Sequence, residues 1–120
     1  MKYLLMIYMN PAVFESLSEA EQNAVMAEHD AFQKPIRESG ELVGFAALAD
    51  PSTSRTVRVR EGVPAVTDGP YVEAKEFLAG YYVVDCETPE RAEELAAQLP
   101  DARLTAIEVR AVMESGGLEM

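Results

Sequence analysis

The chain has 120 residues, 48% of them hydrophobic, with a single cysteine and a formal net charge of −11. That length holds one core, the apolar content excludes a disordered chain, and a lone Cys86 excludes an internal disulfide. A pI near 4.4 argues against nucleic acid and against anionic membrane surfaces, both of which select clustered Lys and Arg.

The longest apolar run, Leu4 to Met9, falls far short of the ~20 residues that span a bilayer. Only Lys2 is basic near the start, and acidic sequence follows where a secretory cleavage site would stand. The expectation is therefore a cytoplasmic protein with no membrane partner, in keeping with its cysteine usage.

Residues 2–9 predict a strand, with Tyr3, Leu5, Ile7 and Met9 on one face and Leu4, Met6 and Tyr8 on the other. Asn10 and Pro11 are expected to end it. Ser18 and Glu21 have the spacing of a capping box, predicting a helix from about 19 to 38. On that helix Val25, His29, Phe32 and Ile36 share a face. Pro35 predicts a kink or a loosened last turn, and Gly40 a stop.

A strand is expected over 42–49, then a turn at Asp50-Pro51-Ser52 and a period-two strand at Thr56 to Arg60. Glu61-Gly62 turns the chain back into a short Pro64-Ala65-Val66 segment, with a loop from Asp68 to Ala79. Residues 80–86 predict a strand. Thr88 and Pro89 suit an N-cap and a first-turn proline, opening a helix whose buried stripe is Ala92, Leu95, Ala96 and Leu99. Residues 104–113 predict the last strand, so the expectation is one domain over 1–113 and a C-terminal tail over 114–120.

The order β-α-β, hairpin excursion, β-α-β defines the α+β class, a ferredoxin-like βαβ-βαβ sandwich with an inserted hairpin and both helices on one face. Two helices cover one side of such a sheet, yet two strands are apolar on both. An apolar sheet face left open marks an interface, and a second copy about a twofold axis is the simplest cover. A homodimer forming an α/β barrel is the resulting expectation. In the last strand Glu108 and Arg110 alternate with Ile107, Val109 and Ala111, placing a carboxylate and a guanidinium on one face, where they could line a ligand cavity.

Among residues able to carry chemistry, His29 is the sole histidine, and its unperturbed pKa suits a general base. Its place on an apolar stripe equally suits a packed, hydrogen-bonded side chain. Asp68-Gly69-Pro70 is ordinary turn chemistry, but Tyr71, Glu73, Lys75 and Glu76 follow at once, and polar density on a sheet-borne loop is where binding residues gather. Zinc, calcium and phosphate-loop spacings are absent, so neither cofactor nor metal is expected. Cys86 reads as a small packed side chain.

The opening Met1-Lys2-Tyr3-Leu4-Leu5-Met6-Ile7-Tyr8, the strand Thr56-Val57-Arg58 and the segment Val66-Thr67-Asp68-Gly69-Pro70-Tyr71 with Glu73, Lys75 and Glu76 resemble the DGPF branch of the YCII-related family. Gly80-Tyr81-Tyr82 and Glu108-Val109-Arg110 extend the resemblance over nearly the whole chain. Departures are Tyr71 in place of Phe, Ala74 in place of Thr and Ala111 in place of Pro. The resemblance implies a ferredoxin-like dimeric α/β barrel and a site built on a His–Asp pair, with Asp68 carried over by the motif and His29 as the histidine.

Two functions follow as expectations. In the first, a cofactor-free acid/base enzyme of lyase or isomerase type acts on a small anionic molecule. His29 is its base and Asp68 the partner, with Tyr71, Lys75, Glu108 and Arg110 binding substrate. The second is a non-catalytic dimeric module that binds a small ligand or a regulatory partner.

Overall fold

The computed structural model describes residues 1–117. Strand β1 (Lys2–Met9) buries Tyr3, Leu5 and Ile7 and leaves Leu4, Met6 and Tyr8 half-buried on its other side. The expected stop at Asn10-Pro11 is instead a start. Asn10 caps a short helix α1 (Pro11–Glu15), its side chain accepting the Ala12 N–H, with Pro11 in the first turn. The same residue pair that breaks a strand is a good N-cap followed by proline.

Helix α2 (Glu19–Ser39) opens on the expected capping box, with Ser18 and Glu21 bonding each other's backbone N–H reciprocally. It continues through Pro35 and ends at Gly40, which adopts a left-handed φ of 84° while its N–H bonds Arg37 O. Glycine takes that conformation without a Cβ penalty.

Next come β2 (Leu42–Ala47), a 3₁₀ turn at Pro51–Thr53, and a separate hairpin of β3 (Arg55–Arg60) and β4 (Val63–Asp68). Glu61 and Gly62 both have positive φ, the signature of a two-residue I′ turn. The segment expected to be short is a full strand, so Asp68 ends β4 and the irregular stretch begins at Gly69. Strand β5 (Phe77–Asp85) starts three residues earlier than its sequence suggests. Helix α3 (Pro89–Gln98) is followed by a four-residue helix α4 (Asp101–Leu104), and β6 (Ala106–Ala111) closes the chain. The last strand is shorter than expected because α4 takes up Leu104. The expected tail is described as far as Gly117 and carries no helix or strand there.

The main sheet has the antiparallel order β2-β5-β1-β6, a ferredoxin-like α+β arrangement. Leu5, Val84, Ala92, Leu95 and Leu99 lie in a core shared by Phe32 and Ile36, so α2 and α3 cover the same sheet face. The hairpin stands off this body, with every residue of β4 exposed. The radius of gyration is accordingly 16.4 Å, against about 14 Å for a compact chain of this length. Among the described residues no helix is long and apolar enough to cross a membrane.

Candidate functional site

His29 rides on the buried stripe of α2 between Val25 and Phe32, facing the sheet at Tyr82 of β5. Its Nδ1 lies 3.0 Å from the Tyr82 hydroxyl and its Nε2 lies 2.7 Å from Asp101 Oδ1. Gln33, one turn along α2, donates its amide N–H to the same hydroxyl at 3.1 Å.

One assignment of protons satisfies all three contacts. Tyr82 gives its O–H to Nδ1 while accepting from Gln33, and Nε2–H donates to the carboxylate. Burial is the main force holding the Tyr82 phenol above its ordinary pKa, with the Asp101 and Asp30 charges adding to it and the Gln33 bond opposing. It therefore stays a neutral donor.

Asp101 is nearly fully buried, an unusual place for a carboxylate unless it is paired. It opens α4, and its backbone carbonyl accepts the Thr105 N–H at 2.8 Å. One residue from His29, Glu28 receives both arms of the Arg103 guanidinium at 2.8 Å. This ion pair ties α2 to α4 beside the imidazole–carboxylate bond, and the Arg103 bonds hold the Glu28 carboxyl below its usual pKa. Among the described residues, no buried side-chain nitrogen or oxygen lacks a partner.

The polar chain of Gln33, Tyr82, His29 and Asp101 forms one side of a half-open cavity of about 430 Å³. Ile7, Met9, Phe14 and Gly80 supply apolar wall, and Met26 and Phe45 stand at exposed positions on its edge. The Phe45 ring lies 5.5 Å from that of Tyr82, which also meets Phe32 edge-on at 5.0 Å. An imidazole with both ring nitrogens hydrogen-bonded thus lines a mostly apolar space of small-molecule size.

Of the candidate site residues His29, Asp68, Tyr71, Lys75, Glu108 and Arg110 expected from sequence, only His29 lines this cavity. Asp68 is at the end of the hairpin, almost fully exposed and 3.8 Å from Arg55. Both His29 ring nitrogens are occupied by other partners, so the expected His29–Asp68 bond is not made within the chain. Tyr71 lies in the segment after β4, its ring 5.0 Å from the Arg58 guanidinium. Lys75 belongs to the same exposed segment. Glu108 and Arg110 pair with each other at 2.6 Å, and their register opposite Met6 and Leu4 puts them on the sheet face away from the helices.

Sequence reasoning missed Asp101, Tyr82 and Gln33. Gln33 was within reach of pattern, four residues after His29 on the same helix. Tyr82 and Asp101 meet His29 across 53 and 72 residues, and no local signal marks either.

The YCII-related domain family matches residues 1–115, and the chain belongs to that family. An uncharacterised protein of Rhizobium meliloti (strain 1021) is 33% identical over 102 residues, covering 85% of this chain and 82% of that one. Among solved structures, 5-chloro-2-hydroxyhydroquinone dehydrochlorinase from Burkholderia phenoliruptrix, in complex with 2,5-dihydroxybenzoquinone, superposes with a TM-score of 0.58. That match covers 96% of each chain at 11% identity, a likeness of fold.

Proposed function

We propose that this chain catalyses proton transfer, in an elimination or isomerisation, on a small molecule held in the cavity beside His29. The observation that carries the reading is the Tyr82–His29–Asp101 hydrogen-bonded chain at an apolar cavity wall.

A substrate proton passes to the Tyr82 oxygen as the phenol's own proton moves to His29 Nδ1. The resulting imidazolium is stabilised by the Asp101 carboxylate at Nε2; the reverse transfer then returns the proton to a second position of the product in an isomerisation, or to the departing group in an elimination. Asp101 thus takes the role that the sequence had suggested for Asp68. The dehydrochlorinase neighbour performs an elimination on a ring compound, which agrees with the reaction class.

The test is deuterium exchange followed by NMR, in D₂O, over a panel of small cyclic ketones and hydroxy-ketones. At least one should exchange in the presence of the protein, and His29→Gln should slow it about a hundredfold or more. Equal rates in the two proteins would overturn the reading. Binding of panel members with no exchange in any of them would replace it with the non-catalytic ligand module.

We also propose that the chain self-associates. An isolated two-stranded hairpin is marginal in water, yet β3–β4 exposes Val57, Val59, Val63 and Val66. The sheet face carrying Leu4, Met6 and Tyr8 is likewise only half-covered. A second copy would bury both surfaces. Light scattering should give twice the 13.2 kDa chain mass. Val57 and Val66 are cross-strand partners, so the double substitution Val57→Glu, Val66→Glu should give a folded monomer; a wild-type monomer at all concentrations would refute the association.

A further inference from the structure

The charge around the cavity bears on what enters it. Asp30 and Asp101 are among its lining residues, and among the described residues no Lys or Arg is. The cations expected from sequence to clamp an anion are elsewhere, Arg110 being paired with Glu108 on the other sheet face. A carboxylate or phosphate entering here would lose hydration without gaining a counter-charge, beside two carboxylates on a chain of net charge −11.

A cation fares no better at the inner end. The buried Asp101 is already matched by the His29 N–H, and Asp30 is exposed to water. With both His29 nitrogens engaged, the groups left to meet a ligand are the second N–H of the Gln33 carboxamide and the remaining acceptor capacity of the Tyr82 oxygen, which suit an uncharged oxygen.

The apolar part describes the rest of the molecule. Phe45 and Met26 stay 51% and 63% exposed at the cavity edge, an arrangement that leaves large apolar groups in water until something covers them. Phe45 presents an aromatic face beside Tyr82, and Met26 a polarisable, adaptable side chain that tolerates varied ring outlines.

Taking the cavity as the working site proposed above, we infer that its ligand is an uncharged, ring-sized, mostly apolar compound with a hydroxyl or carbonyl oxygen directed at Tyr82 and Gln33. Anionic compounds of the same outline are excluded. The pocket selects by the absence of a counter-charge as much as by shape.

Three probes of matched shape test this: benzyl alcohol, benzoate and benzylammonium, each titrated into the full chain at neutral pH and followed by ¹H–¹⁵N spectra. Benzyl alcohol should shift the amides of Phe45, Gly80 and Tyr82 and bind at least about tenfold more tightly than either ion. Phe45→Ala should weaken it several-fold, whereas Lys75→Ala should leave it unchanged. Tighter binding of benzoate, or of benzylammonium, at the same amides would overturn the ligand class while leaving the cavity as the site. Shifts confined to residues outside the cavity, or none with any probe, would overturn the inference together with the cavity assignment. Deuterium exchange by a compound that binds elsewhere would separate that result from a failure of the catalytic reading.

Discussion

Asp101→Ala is expected to lower stability by about 2–4 kcal/mol and to abolish proton transfer at His29. The substitution removes the acceptor of a 2.7 Å bond made by a side chain that is only 3% exposed. It also strands the Nε2–H of a mostly buried imidazole, and breaking one side of a buried pair costs more than the pair contributes. For a chain of this size that loss lowers the thermal midpoint by roughly 10 °C.

Asp101→Asn separates the structural share from the chemical one. A carboxamide keeps the shape and an oxygen that can accept the Nε2–H, so most of the stability should return. The negative charge opposite the developing imidazolium does not return, so proton transfer should stay depressed. Thermal unfolding and the deuterium-exchange assay, run on the same preparations, read the two effects independently. Asp101→Ala unfolding within ~0.5 kcal/mol of wild type, the range of a neutral surface change, would show that the buried carboxylate holds nothing together.

Gly80→Val is expected to cost about 2–3 kcal/mol and to close the cavity. A Cβ at this position would sit 2.6 Å from the backbone oxygen of Ala46 and 3.4 Å from Ala47 Cα. The clash is with strand backbone, which yields only if β2 shifts as a unit. Gly80 pairs with Ile7 on one side and Ala47 on the other, next to the register shift between Ile7 and Tyr8. Its φ is not in the left-handed region, so the penalty comes from the close approach of strands and not from backbone conformation.

Because Gly80 also lines the cavity, the added isopropyl group fills space that a ligand would use. Denaturant unfolding should show the destabilisation, and benzyl alcohol should no longer shift the Phe45 amide. A variant as stable as wild type that still binds the probe would mean that β2 adjusts freely.

Much of the architecture was legible because its signals are local. Ser18 and Glu21 announce the start of α2 three residues apart, Gly40 ends it, and Thr88 with Pro89 opens α3. Alternation in β1 separates Tyr3, Leu5 and Ile7 from Leu4, Met6 and Tyr8 without reference to any other element. The errors are local too. Asn10-Pro11 ends one element and begins another, and Pro100 to Leu104 lacks a side-chain cap to mark its helix.

The candidate site was legible only in part. The helical period of α2 correctly placed His29 on the inward face, but it could not say which groups would meet it there. The family resemblance implied a His–Asp pair, and its motif carried Asp68 over as the partner. In the folded chain that residue lies on an exposed hairpin, and a buried aspartate from a four-residue helix meets the imidazole instead.

By itself, then, the sequence determined the four strands of the main sheet, the helices α2 and α3, the ferredoxin-like order and the histidine on the apolar stripe, since capping, alternation and helical period act over a few residues. The register of β5, the position of α4 and the meeting of Gln33, Tyr82, His29 and Asp101 were decided only by tertiary structure. Those contacts are rewarded by burial and satisfied hydrogen bonds between elements far apart in the chain. Their partners are chosen by packing geometry, which no local pattern encodes.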